Sequence, residues 1–377
     1  MAITTTVSAE ETETYVLQVD SALGPISRTV KRGPPRDARL DEIAIIDIAG
    51  IYSDDISERR AVADKIRSAC TRLGFFYITN HGIPDNISER AAEACRDFFH
   101  SSVDDKNKIY FDHEIEGYTG RNNEQINTAE SVDVREKFKL HYRPSMDPTS
   151  RLPGYPTGGT YQEFPWERTA HLPSFADAMT DCFTARLQLA RRLLRTCALA
   201  LDLPEDFFDE KVARPNAALV LNYYPPTVTN TNGPDGSTEE AREQVGLGSH
   251  TDFGILTILW QDNTGGLQIL SPEGEWINAK PIPGTLVCNM GDLMSMITRG
   301  RFVSDIHKAK NETAGERISI PFFLGFGPKV PIEVVETCVQ PGAVKERYEG
   351  ILAGEWLRKR QIDLKVAKLG KGGVPVQ

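Results

Sequence analysis

The chain has 377 residues, a formal net charge of −10, 40% hydrophobic residues and 25% charged ones, the balance of an ordinary globular protein long enough to bury a core without disulfides or a structural metal. The acidic surplus argues against a nucleic-acid track, and no run approaches the roughly 18 apolar residues that cross a bilayer. Residues 1–14 lack the basic start and apolar core of a secretory signal, so the expectation is a cytoplasmic protein, monomer or weak homodimer, that handles a small molecule and has neither nucleic acid nor membrane as partner.

Residues 1–40 are polar and predict an extension that is disordered or laid over the surface. A short apolar strand is expected at 42–48. Helical period follows over 57–73, with Val62, Ile66, Ala69, Cys70 and Leu73 on one face and Gly74 placed to end it. The aromatic and branched run 75–79 predicts a buried strand, and Asp85 or Asn86 caps a helix whose apolar face is Ile87, Ala91, Ala94 and Phe98. Residues 104–170 signal weakly, with a loop expected at 117–123. Pro173 opens a long helix, striped by Phe175, Met179, Cys182, Phe183, Leu187, Ala190, Leu194, Cys197 and Leu201, that reads as a central buttress.

From residue 217 the pattern changes to short strands at 218–224, 255–260, 266–270, 285–289 and 318–324, the spacing of an all-β sandwich or barrel. The polar insertion 227–246 predicts a mobile loop, and its place just before a candidate metal strand suggests a lid. Residues 343–360 return to helical pattern. The expected class is α+β, divided as an extension (1–40), an N-terminal α/β cap (41–170), a helical buttress (171–216), a β domain (217–330) and a helical C-terminal segment (331–377). The six cysteines, Cys70, Cys95, Cys182, Cys197, Cys288 and Cys338, have no short paired spacing and predict buried free thiols.

Chemistry concentrates between His250 and Ser319. On a strand, His250 and Asp252 would point to one side and reach one metal; an isolated His-x-Asp is more often a surface turn. The conjunction changes that weighing. His307 supplies a second imidazole downstream, and two histidines with one carboxylate make the facial triad that leaves three positions open on iron(II). Arg317 and Ser319 follow on one strand face, where a buried guanidinium needs an anionic partner such as a bound carboxylate.

These residues carry a family resemblance. The stretches 247–254 (LGSHTDFG), 261–268 (QDNTGGLQ), 274–277 (GEWI), 281–284 (PIPG), 289–292 (NMGD), His307 and Arg317-Ile318-Ser319, with 222–226 (NYYPP) and 74–82 (GFFYITNHG) upstream, resemble the iron(II)- and 2-oxoglutarate-dependent oxygenases, in the branch of isopenicillin N synthase and the flavonoid and gibberellin oxidases. The resemblance covers roughly residues 41–360. It implies a double-stranded β-helix, or jelly roll, with Fe(II), 2-oxoglutarate and O2 as cofactors and cosubstrates. It further implies His250, Asp252 and His307 as ligands, Arg317 and Ser319 on the distal carboxylate with help from Tyr224, and Asn222 near the chelating end. Succinate and CO2 are then released as the substrate is hydroxylated, desaturated or cyclised, in what would be specialised metabolism.

Two alternatives stay open: an oxidase that uses the Arg-x-Ser pair on its substrate instead of 2-oxoglutarate, and a non-catalytic jelly-roll binding protein. Candidate substrate contacts are Tyr118, Arg121, Asn123, Tyr223, Phe323 and Phe326, with Arg121 facing an acidic substrate; packing or loop structure is the bland reading of each. His81 reads as structural, Gly291-Asp292 as a turn between strands, and Lys308 departs from the arginine common after the distal histidine.

Overall fold

The computed structural model describes residues 13–21, 24–39, 41–109, 116–152, 161–227, 245–340, 342, 344, 346 and 348–368. In chain order its strands begin with β1 (Thr14–Ser21), β2 (Gly24–Lys31), β3 (Arg36–Asp37), β4 (Ala44–Asp47) and β5 (Phe75–Thr79). They continue with β6 (Gly117–Thr119), β7 (Glu136–His141), β8 (Asn216–Tyr224), β9 (Leu247–His250) and β10 (Leu256–Gln261). The last are β11 (Leu267–Leu270), β12 (Trp276–Asn278), β13 (Leu286–Met290), β14 (His307–Ala309) and β15 (Arg317–Gly325). The helices are α1 (Ile56–Arg72), α2 (Asp85–His100), α3 (Val103–Asn107), α4 (Phe175–Ala200), α5 (Asp292–Ile297) and α6 (Ala353–Lys368). None among the described residues is long and apolar enough to cross a membrane.

An eight-stranded sheet, ordered β4-β5-β13-β10-β15-β8-β7-β6, and a five-stranded one, ordered β3-β12-β11-β14-β9, wall a common cavity. The alternation along β15 explains the arrangement. Ile318, Ile320 and Phe322 belong to the main core, where Phe322 meets Phe183 of α4 edge-on with ring centres 5.2 Å apart. Arg317, Ser319, Pro321 and Phe323 take the opposite, cavity face. On β8 the same period sends Leu219 and Leu221 to the core and Val220, Asn222 and Tyr224 to the cavity. The α4 stripe is buried throughout, as its periodicity implies, and α1 and α2 pack beside it.

Of the polar extension, the described residues 13–21 and 24–39 lie over the smaller sheet; the rest falls outside the described residues. The β1–β2 hairpin packs Leu17, Val19 and Val30 on Leu270, Trp276 and Ile306, and β3 adds parallel to β12. The two ends of the described chain meet at Arg360 of α6. Its guanidinium donates to the Asp20 carbonyl at 2.8 Å and lies 5.0 Å from the centre of the Phe253 ring.

Other expectations shift. The 117–123 loop begins with strand β6, because Gly117–Thr119 pairs with Lys137–Lys139. The C-terminal helix starts at Ala353 rather than 343, after a turn at 348–350. The insertion read as a lid lies, at residues 228–244, outside the described residues. Five of the six cysteines are buried and Cys338 is half-buried; all are free thiols.

Candidate active site

The smaller sheet brings two imidazoles face to face. His250 ends β9 and His307 begins β14, and these antiparallel strands pair the two residues directly, with ring centres 4.3 Å apart. His250 Nδ1 donates to the Gly248 carbonyl at 2.8 Å and His307 Nδ1 to the Asp305 carbonyl at 3.2 Å. A carbonyl only accepts, so each ring carries a proton on Nδ1, and in the neutral ring this tautomer leaves Nε2 as the ligand nitrogen.

Asp252 does not share the strand with His250, as the sequence spacing suggested. The chain leaves β9 at Thr251, whose hydroxyl donates to Asp292 Oδ2 at 3.2 Å, and Asp252 sits in the following loop. That loop is held by the Asp292 N–H, which donates to the Asp252 carbonyl at 2.7 Å. Gly291 and Asp292 are therefore more than a turn: Gly291 caps α5, whose first residue is Asp292. A side chain at Gly291 would drive its Cβ into the Gly254 carbonyl oxygen, so the close approach of the ligand loop requires glycine there.

The Asp252 carboxylate is divided between two tasks. Oδ2 accepts from Thr257 Oγ1 at 2.6 Å and Asn289 Nδ2 at 2.7 Å. Oδ1 is left facing His250 Nε2 at 3.7 Å and His307 Nε2 at 3.8 Å. All three ligand atoms fall within 4.8 Å of one another, and all three residues are buried. Two imidazole nitrogens and one carboxylate oxygen, on residues that line the cavity, are a donor set that would fit iron(II).

The cavity, of about 290 Å³, extends from this cluster between the sheets. Arg317 and Ser319 lie on its large-sheet wall, opposite Tyr224 and Asn222 of β8. The Arg317 guanidinium stands 4.6 Å from the centre of the Tyr224 ring, and Nε donates to the Gly265 carbonyl. Its Nη1 is buried without a partner among the described residues, a donor suited to an anion. Gly266 makes room: at φ +87° a Cβ there would run into the Lys310 carbonyl oxygen and lie 3.3 Å from Arg317 Nε. Asn222 Nδ2 is 3.4 Å from the Ser319 hydroxyl.

Of the candidate substrate contacts, Phe323 and Phe326 line the cavity. The other four are not brought to it, and the pairing explains why. Tyr118 donates to Glu136 Oε2 at 2.7 Å and Arg121 Nε to Glu136 Oε1 at 3.0 Å, on the face of β7 turned away from the cavity. Asn123 is exposed beside them. Tyr223 alternates with Asn222 and Tyr224 and stacks instead on Phe99, with ring centres 5.4 Å apart. His81 is structural, its Nδ1 accepting from the Ile83 N–H at 3.2 Å. Lys308 turns away from the metal cluster and caps the Trp276 ring at 4.1 Å.

One cavity wall lies in the weakly patterned region, where the sequence alone does not mark it. Arg135, Lys137, Lys139 and His141 occur at every second position and all face the cavity. Glu124 clamps the first two, accepting from Arg135 Nη2 at 3.2 Å and from Lys137 Nζ, while Arg135 Nη1 donates to Asn222 Oδ1 at 2.5 Å. The signal was the alternation with Phe138 and Leu140 on a half-buried strand. On sequence alone its charged face reads as a solvated one.

Residues 215–326 match the family model of the 2OG-Fe(II) oxygenase superfamily, and residues 43–157 match that of the non-haem dioxygenase in morphine synthesis N-terminal region. Among curated relatives, the 2-oxoglutarate-Fe(II) type oxidoreductase ppzC of Metarhizium majus is 41% identical over 92% of this chain and 94% of its own. Two solved structures align closely. A full-length Neurospora crassa protein in complex with alpha-KG has a TM-score of 0.70 at 25% identity, covering 87% of this chain and 99% of that one. JOX2 in complex with 2OG, Fe and JA has a TM-score of 0.65 at 26% identity, covering 88% and 87%.

Proposed function

Because the chain belongs to the 2-oxoglutarate- and Fe(II)-dependent oxygenase superfamily, and is an oxidoreductase with a jelly-roll core, we propose that His250, Asp252 and His307 hold its iron and that Arg317 and Ser319 hold the far carboxylate of 2-oxoglutarate. The observation that carries this reading is the convergence of three donors within 4.8 Å, each already fixed through its other atom. Iron(II) and 2-oxoglutarate together supply the activation of O2 that oxidises a substrate carbon, with release of succinate and CO2.

The protein's own residues prepare that chemistry. Carbonyls at Gly248 and Asp305 set the imidazole tautomers, and Thr257 and Asn289 hold the Asp252 carboxylate so that only Oδ1 faces the metal position. Arg317 offers a planar fork from a buried position, where a charge-assisted bond to a carboxylate is strong. Tyr224 backs the guanidinium and Asn222 orients the Ser319 side of the site. Phe323 and Phe326 make part of the wall against which a small substrate would rest. The outcome is hydroxylation, desaturation or ring formation on a small molecule, in specialised metabolism; the relative named an oxidoreductase, and the aligned structures bound to alpha-KG and to 2OG, Fe and JA, support the oxidation of a small molecule.

Anaerobic titration of Fe(II) and then 2-oxoglutarate, followed by succinate release on admitting air, tests the assignment. Wild-type protein should bind one iron and require 2-oxoglutarate for oxygen uptake. Full iron loading in His307→Ala would remove the triad assignment, and oxygen uptake independent of 2-oxoglutarate would remove the role given to Arg317.

A further inference from the structure

The cavity face of β7 carries Lys137, Lys139 and His141 at successive inward positions. Register fixes what each one stands against. Lys137 pairs with Asn222 of β8, Lys139 with Val220 and His141 with Ala218. Arg135 and Lys137 share the single carboxylate of Glu124. On the other side of Lys139, Glu116 is taken by Arg143 at 2.7 Å and by the His141 N–H at 2.7 Å. The Lys139 ammonium itself has no hydrogen bond and no ion pair among the described residues, and apolar Val220 is its cross-strand neighbour.

This ammonium is set apart from the cosubstrate end. Pro321 and Val220 lie on adjacent strands β15 and β8, so β7 is two strand spacings, roughly 9–10 Å, from the strand that carries Arg317. The walls nearby are apolar: Ala218, Val220, Phe323 and Phe326, with Trp356 and Leu357 of α6 closing the same cavity. Leaving a lone ammonium in such a wall is costly unless an anion meets it. Burial, reinforced by Lys137, already pushes the Lys139 ammonium down to about 8, and still leaves it charged at neutral pH.

We propose that Lys139, with His141 beside it on the same face of β7, is an anion subsite for the primary substrate, which is therefore an organic acid whose carboxylate meets Lys139 and whose apolar body lies against Phe323, Phe326 and Trp356. The inference rests on the oxygenase reading above, and it assigns Lys139 to the substrate and not to 2-oxoglutarate.

The test uses full-length protein with Fe(II) and saturating 2-oxoglutarate under argon. Its probes are ω-phenylalkanoates with chains of two to six carbons and the matching primary amides, with binding read by calorimetry and by Trp356-sensitive fluorescence. At least one acid should bind, and its amide at least tenfold more weakly. Lys139→Met should remove that preference while changing 2-oxoglutarate affinity less than twofold, and Lys139→Arg should keep it. Thermal unfolding and iron content verify that both variants are folded. Equal binding of acid and amide, binding of no acid in the series, or an acid preference that survives Lys139→Met overturns the proposal. So does a loss of 2-oxoglutarate affinity in Lys139→Met as large as that in Arg317→Ala, which places Lys139 in the cosubstrate site. Failure of the wild type to bind iron or 2-oxoglutarate at all would instead refute the oxygenase site assignment, so the two failures are told apart.

Discussion

The two walls of the cavity are built on different principles. At the end of the cavity beside the smaller sheet each candidate ligand is tied by its other atom: each imidazole by Nδ1, and Asp252, in the loop after β9, by Oδ2, so that three chosen atoms are left over. On β7 the cations are only partly answered, with Glu124 serving Arg135 and Lys137 and nothing among the described residues serving Lys139. Complete satisfaction of the surroundings fixes a constellation whose geometry the reaction dictates. Incomplete satisfaction leaves a demand that a ligand meets, and that demand is specific to the ligand. The difference teaches where to look for generic chemistry and where to look for substrate choice.

Mutations at the two walls should separate accordingly. The largest effect falls on the ligands: Asp252→Ala or His307→Ala should leave iron content near background by elemental analysis, and succinate formation with it. Arg317→Ala should weaken 2-oxoglutarate about 10- to 150-fold, taking roughly 1.5–3 kcal/mol for a bond to a charged group, while iron stays bound. Ser319→Ala should cost less, and Arg317→Lys should recover part of the loss without the planar fork. Thr257→Val removes one of the two bonds that orient Asp252, and metal affinity should drop about 10- to 100-fold, as outer partners of metal ligands typically cost. An unchanged affinity would mean that Asn289 alone orients the carboxylate, and the comparison between the walls would weaken.

The smallest effect is a pH dependence confined to β7. With the ammonium lowered to about 8, Lys139 is charged below that pH and neutral above it. Acid probes should therefore bind with constant affinity from pH 6.5 to 7.5 and lose up to about tenfold per unit above pH 8, whereas amides stay flat. The groups around Lys139 are Lys137, Arg135, Glu124, Glu116 and His141. A loss already complete by pH 7 would assign the effect to His141 instead.

How far the sequence could be read follows the same division. The strands around His250, His307 and Arg317 were legible because a metal triad and a carboxylate fork demand particular residue types, and β-period 2 sets which face they share. The loop position of Asp252 was not, since a His-x-Asp spacing fits a strand and a tight exit from one equally well; the deciding contact, Asp292 N–H to the Asp252 carbonyl, joins residues forty positions apart. The long helix α4 declared itself through nine apolar positions in register, all of them buried. Residue type alone suggests Tyr118, Arg121, Asn123 and Tyr223 as substrate contacts, but strand pairing sets Tyr118 and Tyr223 on the faces away from the cavity, and Arg121 and Asn123 fall in the turn after β6. The β7 row was missed for the converse reason. Alternating charge on a strand ordinarily faces water, and only the tertiary fold makes that face an interior.

Arg360 gives the chain ends an influence that distance along the sequence would not suggest. One guanidinium joins the N-terminal hairpin, through the Asp20 carbonyl, to the ring of Phe253, the residue directly after the proposed ligand Asp252. Purification handles or domain fusions that disturb the Arg360 contacts would therefore be felt beside the proposed iron site. Preparations that differ only in their tags should be compared for iron retention before their catalytic rates are compared.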